Sequence, residues 1–261
     1  MSSPTNRRRR LRTGSAAPHT GDGLAIVGAG RLGTAIAAAL RDRGQTVEGP
    51  FGRGAAPRAA RTVLLCVPDA EIARAAAAVP LGPIVGHCSG ATGLEPLAGH
   101  EAFSLHPLMT VPMGAGADVL RGAGCAVAGS SARALATAHS LARRLGMHAT
   151  AIADRDRAAY HAAASIAGNF VVTLEGAAER LAATAGVDRE LLAPLVRAAV
   201  DNWADRGARG ALTGPIVRGD EATVARQRAA VAERTPELLR VWDAMAECTR
   251  TLVAQPDRPT A

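Results

Sequence analysis

The stretch Gly28-Ala29-Gly30-Arg31-Leu32-Gly33 constrains this chain more than any other. It follows a short apolar run, Leu24-Ala-Ile-Val27, and opens a segment in which Leu32, Ile36 and Leu40 recur at helical spacing before Gly44. That order reads as strand, tight turn and helix. Gly28 allows the turn, Gly30 lets a pyrophosphate approach the backbone, and Gly33 lets the helix lie close to the strand. The unpaired N–H groups and partial positive charge of the helix start then face the phosphates. Alone, Gly-x-Gly-x-x-Gly is a weak signal. Between a strand and a helix it marks a dinucleotide site, against the plainer reading of a structural glycine turn that binds nothing. The expected cofactor residues are Gly28, Ala29, Gly30, Arg31, Leu32 and Gly33, joined by Val67 and Pro68 from a later strand end.

The choice of dinucleotide is read roughly 20 residues beyond such a loop, at the end of the second strand. An NAD site places Asp or Glu there, on the ribose hydroxyls. Here the segment reads Phe51-Gly52-Arg53-Gly54, and the nearest acid, Glu48, falls inside the strand. Arg53 suits a 2′-phosphate, so NADP is the expected cofactor. The alternative for Arg53 is an exposed loop arginine in an arginine-rich chain.

Strands are expected over residues 24–27, 46–51, 62–67, 83–87, 102–106 and 125–128, with helices at 32–40, 72–79 and 132–145 between them. The run Thr62-Val-Leu-Leu-Cys-Val67 has no polar alternation, as in a strand buried on both faces. Alternating strands and helices predict an α/β fold, a doubly wound parallel Rossmann sheet. Near Asp154 the pattern changes to one long alanine-rich helix closed by Gly186, then helices at about 189–204, 221–233 and 236–253. The expected organisation is a disordered basic tail over 1–21, an NADP-binding Rossmann domain over 22–153, and an all-α domain over 154–255 for substrate binding and dimerisation.

Composition narrows the classes. The net charge of +7 is mostly local: Arg7, Arg8, Arg9, Arg10 and Arg12 supply five charges with no acid among the first 20 residues, leaving +2 for residues 21–261. The arm admits a nucleic-acid role, but Ser, Pro, Gly and Thr around the arginines favour a plain disordered extension. No apolar run approaches the ~18–20 residues that span a bilayer. Four scattered cysteines without a CxxC pair point to a reduced, cytoplasmic setting with neither disulfide nor metal. The chain contains no lysine; all 30 basic residues are arginine. Mechanisms that need a lysine acid or a Schiff base are excluded.

Ligands in open α/β sheets gather beyond the carboxyl ends of the strands. His87-Cys88-Ser89-Gly90 and Leu105-His106-Pro107-Leu108-Met109-Thr110 both fall at such ends. For His87 a loop-packing role is preferred, for His106 packing and catalysis balance, and Ser89 is expected to bind substrate. In Tyr160-His161-Ala-Ala-Ala-Ser165-Ile-Ala-Gly168-Asn169, the residues His161, Ser165 and Asn169 recur every four positions and share a helix face. At 1.5 Å per residue the outer two lie about 12 Å apart. They would flank a substrate, or else form a polar stripe at an interface. Arg218, in Thr213-Gly-Pro-Ile-Val-Arg218-Gly-Asp220, could hold a substrate carboxylate bidentately or simply pair with a nearby acid.

The ordered set VGAGRLG, HCSGATGLEPL, SLHPLMT, YHAAASIAGNF and GPIVRGD, over residues 22–253, resembles a family of two-domain proteins with a Rossmann-like N-terminus and a helical C-terminal domain of unknown function. That family is similar in architecture to ketopantoate reductases, pyrroline-5-carboxylate reductases and β-hydroxyacid dehydrogenases, and some members look like alternative ketopantoate reductases. The resemblance implies a role in pantothenate synthesis. There is one departure. The usual ketopantoate reductases and β-hydroxyacid dehydrogenases carry Lys-x-x-x-Asn on the first helix of the second domain, whereas the matching stretch here is Ser165-x-x-x-Asn169. Reduction of a ketone still needs a proton donor, and His161 or His106 can fill that place because histidine titrates near neutrality. The Leu105-His106-Pro107 segment also resembles the catalytic histidine segment of prephenate dehydrogenases.

The resulting expectation is an NADPH-dependent oxidoreductase that reduces a small 2-keto acid, with ketopantoate as candidate. Asn169 and Ser165 would hold the substrate, His161 or His106 would donate the proton, and Arg218 would meet a carboxylate. An imine or prephenate-type dehydrogenase is the alternative within the class. A non-catalytic NADP-binding sensor or scaffold, motivated by the missing lysine, is the alternative outside it. Related architectures dimerise through the helical domain, so a homodimer is expected, with no membrane or nucleic-acid partner.

Overall fold

The computed structural model describes residues 23–52, 54, 57 and 59–255. The expected basic tail over 1–21 and Arg53, the residue expected to select NADP, lie outside the described residues. Seven strands are present: β1 (Leu24–Val27), β2 (Val47–Phe51), β3 (Thr62–Leu65), β4 (Ile84–His87), β5 (Glu101–Leu108), β6 (Gly124–Gly129) and β7 (His148–Ala151). They form one sheet in the order β2-β1-β3-β4-β5-β6-β7. The first strand has β2 on one side and β3 on the other, both parallel to it. The winding direction therefore reverses between β1 and β3, and the crevice at such a reversal is where open α/β sheets take their ligands.

The expected Rossmann-like α/β architecture is the one observed, with two departures in detail. The pair β5–β6 is antiparallel, whereas the expectation was a parallel sheet throughout. A parallel return needs a crossover, usually helical, and residues 109–123 contain only turns. The chain therefore doubles back. Strand β7 was not expected; His148-Ala-Thr-Ala151 is short, largely exposed and without an apolar run, and it extends the sheet beside β6 in parallel.

Alternate strand residues feed two cores, one on each face of the sheet. Ile26, Leu64, Phe103 and Leu105 pack with Ile36 and Leu40 of α1 (Arg31–Asp42) and with Leu141 of a later helix. Val63, Leu65 and Val85 pack with Ile72 of α2 (Ile72–Ala77) and with Leu97. Each fully buried side chain of this size contributes about 1.5–3 kcal/mol. One of the few aromatics, Phe103, fills the space over Gly86, where any Cβ would strike its ring. Helix α3 (Ala132–Arg144) is started by Ser131, whose hydroxyl accepts the Ala134 N–H at 3.1 Å.

The remaining helices are α4 (Arg157–Ser165), α5 (Val171–Ala183), α6 (Arg189–Ala211), α7 (Glu221–Arg234) and α8 (Leu239–Ala254). A π-helical turn, Ile166–Phe170, sits where one uninterrupted helix was expected. Asp220 caps α7 through the Thr223 N–H at 3.0 Å, as its position ahead of the helix implies. Helix α6 runs beyond the expected end near 204 to Ala211, and Gly207 breaks it at φ 71°. Contacts divide the chain into two compact units between Ala164 and Ser165, while the change in sequence pattern lies near 153. The first turns of α4 stay with the sheet because Arg157 and Tyr160 bond to residues of β5. No helix among the described residues is long and apolar enough to cross a membrane.

Candidate functional site

The glycine loop has the geometry its spacing implies. Gly28 sits at φ +111°, and a Cβ there would strike the Cys66 backbone. Its N–H donates to the Phe51 carbonyl at 2.8 Å, tying the loop to the end of β2. A Cβ on Gly33 would collide with the Gly28 carbonyl, so this glycine serves helix–strand packing. Gly30, the residue ahead of α1, has no atom within 4 Å of where its Cβ would stand. Its open side belongs to a cleft of about 510 Å³ bounded by Gly28, Ala29, Gly30, Val67 and Pro68, with Gly52 and Gly54 closing it from the β2 end. The fit to a dinucleotide is therefore a cradle of bare backbone at a helix N-terminus. Leu32 instead packs against the core, and Arg31 is exposed at the helix start.

Arg74, on α2, also bounds the cleft and pairs with Glu71. In the sequence it carries no positional signal, being one arginine among 30.

A second group of polar side chains lies at the ends of β4 and β5, within the same unit. His87 is fully buried. Its Nδ1 accepts the Ser89 N–H at 3.1 Å and its Nε2 donates to the Gly93 carbonyl at 2.8 Å. Burial holds this imidazole below its usual titration range. It is a neutral loop brace, the plain reading preferred for it. Ser89 departs from expectation. Its hydroxyl donates to Asp69 Oδ2 at 2.7 Å and accepts the N–H groups of Ala91 and Thr92 at 3.2 and 2.9 Å. One donor and two acceptor sites exhaust a hydroxyl, so Ser89 shapes the loop and has nothing left to offer a substrate. Thr92 adds a second bond to the same Asp69 oxygen at 3.0 Å.

This loop carries Gly90 directly over His106 and His161. A Cβ on Gly90 would stand 2.7 Å from His106 Cε1 and 2.8 Å from both His106 Nε2 and His161 Cδ2. The two imidazoles are 6.1 Å apart between ring centres. His106 Nδ1 lies 2.7 Å from the Tyr160 hydroxyl. Behind them is Arg157, buried, with its guanidinium 3.1 Å from Ser104 Oγ and 3.2 Å from Asp154 Oδ1. Burial, reinforced by the neighbouring His161 and Arg157, pushes the His106 imidazole down to about 4. At neutral pH it is an uncharged ring. Neither Tyr160 nor Arg157 was among the expected site residues. Their partners are more than 50 positions away in sequence, and only the docking of α4 on β5 joins them.

Of the other expected residues, Ser165 is half-buried, Asn169 is exposed on the π-helical turn, and Arg218 is exposed ahead of α7. All three belong to the second unit. No group of three or more His, Cys, Asp or Glu residues that could hold a metal occurs among the described residues.

Residues 123–249 match the model of a family described as a domain of unknown function, DUF2520. No curated protein matches the chain. Among solved structures, the chain is similar to a candidate NADP oxidoreductase from Bacteroides fragilis, at 17% identity and a TM-score of 0.74 over 88% of this chain and 98% of that one. It is similar to protein TM1727 from Thermotoga maritima, at 23% identity and a TM-score of 0.73 over 88% and 98%. A reductive aminase from Aspergillus terreus, solved with NADPH and ethyl-5-oxohexanoate, aligns at 20% identity and a TM-score of 0.61 over 88% and 94%. At these identities the likeness establishes the shared fold.

Proposed function

We propose that this protein is an NADPH-dependent oxidoreductase acting on a carbonyl or imine carbon of a small substrate. One observation carries the reading: the dinucleotide cleft and the histidine pair are joined by a continuous series of contacts. Pro68 bounds the cleft, its neighbour Asp69 accepts bonds from Ser89 and Thr92, and the loop they close lays Gly90 on His106 and His161. The NADPH complex of the reductive aminase supports the cofactor. Arg53 and Arg74 are the proposed partners of the 2′-phosphate end.

A bound nicotinamide supplies the hydride. The chain's own residues do the rest: Gly28 and Gly30 admit the pyrophosphate, the Ser89–Thr92 turn fixes the loop, and His106 meets the oxygen or nitrogen of the bond being reduced. His161 is the second imidazole at the same place. A 2-keto acid such as ketopantoate is the first substrate class to try. The reductive aminase likeness gives equal weight to imines. Ser165, Asn169 and Arg218 remain candidates for holding the substrate. The helical unit is proposed to form a homodimer.

The test is NADPH consumption by the purified chain with ketopantoate, other 2-keto acids and cyclic imines. Turnover with one of them is expected, with a loss of about 10²-fold or more in His106→Asn if this residue handles the proton. NADPH binding without turnover on any candidate would support the sensor alternative, and failure to bind NADPH would overturn both.

A further inference from the structure

We infer that Tyr160 is the positioning residue of the site: it holds His106 in the tautomer with its proton on Nε2, so that an N–H and not a lone pair faces the reacting group. The observations are geometric. The Tyr160 hydroxyl and His106 Nδ1 are 2.7 Å apart, and the two rings meet edge to face at 5.6 Å and 89°. A phenol is a far stronger acid than a neutral imidazole N–H, and an imidazole nitrogen accepts better than a phenol oxygen. Tyr160 therefore donates and Nδ1 accepts. A neutral ring carries one hydrogen, which must then reside on Nε2.

The pair is held by the way α4 docks on β5. Ser104 and His106 share one face of the strand, and Arg157 and Tyr160 share one face of the helix. Arg157 bonds to Ser104 at 3.1 Å and Tyr160 to His106 at 2.7 Å, two rungs between the same two elements. The Nε2 edge is turned towards Gly90, which lacks the side chain that would cover it. That nitrogen is not among the buried, unpartnered polar atoms of the described residues, and no bond to it is made within them. The charged and titratable groups facing the ring are Arg157, Tyr160 and His161 from α4, Asp69 from the turn after β3, and His87 from β4. Tyr160 alone among them bonds to the ring.

The chemical consequence rests on the function proposed above. An N–H at Nε2 suits the negative charge that would grow on a carbonyl oxygen as hydride arrives; the neutral ring keeps its proton, and the proton that completes the alcohol comes from solvent water. The same N–H does not suit removal of a hydroxyl proton, which requires a lone pair at that atom.

Long-range proton–nitrogen correlation spectra of the full chain, labelled with ¹⁵N-histidine, read the tautomer directly; His106→Gln assigns the signal. His106 is expected in the Nε2–H form above neutral pH. In Tyr160→Phe it is expected to become a mixture of tautomers. It should also titrate at higher pH, because a bond that only the neutral ring can accept has gone. An Nδ1–H form in the wild-type chain, or an unchanged spectrum in Tyr160→Phe, overturns the inference. If Tyr160→Phe does not fold, the wild-type spectrum decides alone. Titration of the same samples with NADPH separates the two readings: loss of cofactor binding in the wild type sinks the proposed function, whereas the tautomer result stands or falls by itself.

Discussion

At the scale of single residues, the three glycines of the first turn divide their work in a way that substitution can resolve. Gly33 and Gly28 face backbone, and Gly30 faces open space. Gly33→Ala forces α1 away from β1 and is expected to cost about 1–3 kcal/mol or more in denaturant unfolding, in the range for overpacked cores. Gly30→Ala is expected to leave stability within about 0.5 kcal/mol, the usual range for an exposed change, while weakening NADPH binding measured by titration. Equal losses of binding and stability in the two variants would assign the loop to packing alone. This division was legible in sequence because Gly-x-Gly-x-x-Gly encodes backbone geometry locally. The Ser89 role was not. A serine beyond a strand end looks the same whether it meets a substrate or, as here, spends its hydroxyl on Asp69 and two backbone N–H groups.

At the scale of elements, periodicity located the strands that line the crevice, because each is a continuous apolar run. It missed β7, whose residues are mostly exposed, and it carried no information on the direction of β6. It also could not pair α4 with β5, since a helix face and a strand face 50 residues apart leave no joint signature. That docking has a measurable electrostatic effect. The folded His106 titrates at about 4, below the 6.5 of a free imidazole. The folded state therefore binds fewer protons than the unfolded state between those values, and stability falls as pH drops through that window. His87, lowered by its burial, acts in the same direction. The denaturation midpoint is expected to decline from pH 6.5 to about 4, and Arg157→Met is expected to shift His106 upward in an NMR titration by removing a neighbouring positive charge. A His106 titration unmoved by that substitution would separate Arg157 from the site.

At the scale of the whole molecule, the sheet-bearing unit buries its strand residues in two cores and leaves Leu81, Leu108, Met109 and Met113 exposed, whereas two helices of the second unit have no core of their own. Helices α5 and α6 bury no residue among those described, although α6 is 23 residues long. Helices of that kind draw most of their stability from packing an apolar face. Here Leu191, Leu195 and Trp203 of α6 are 71%, 68% and 56% exposed, with Phe170 and Val172 also open at the start of the unit. Large apolar side chains left this exposed make the helices a candidate interaction surface. The alternation of alanine, leucine and arginine in the sequence made the helices legible but not their partner, since a face for the core and a face for a second chain have the same composition. The homodimer proposed above would supply that partner. Sedimentation or light scattering of the full chain is expected to give twice the 26.6 kDa of one chain. Leu195→Glu with Trp203→Glu is expected to reduce this to a monomer with lower thermal stability, because the helices lose the surface that covers them. A wild-type monomer at micromolar concentration would refute the dimer and leave the apolar face to another partner.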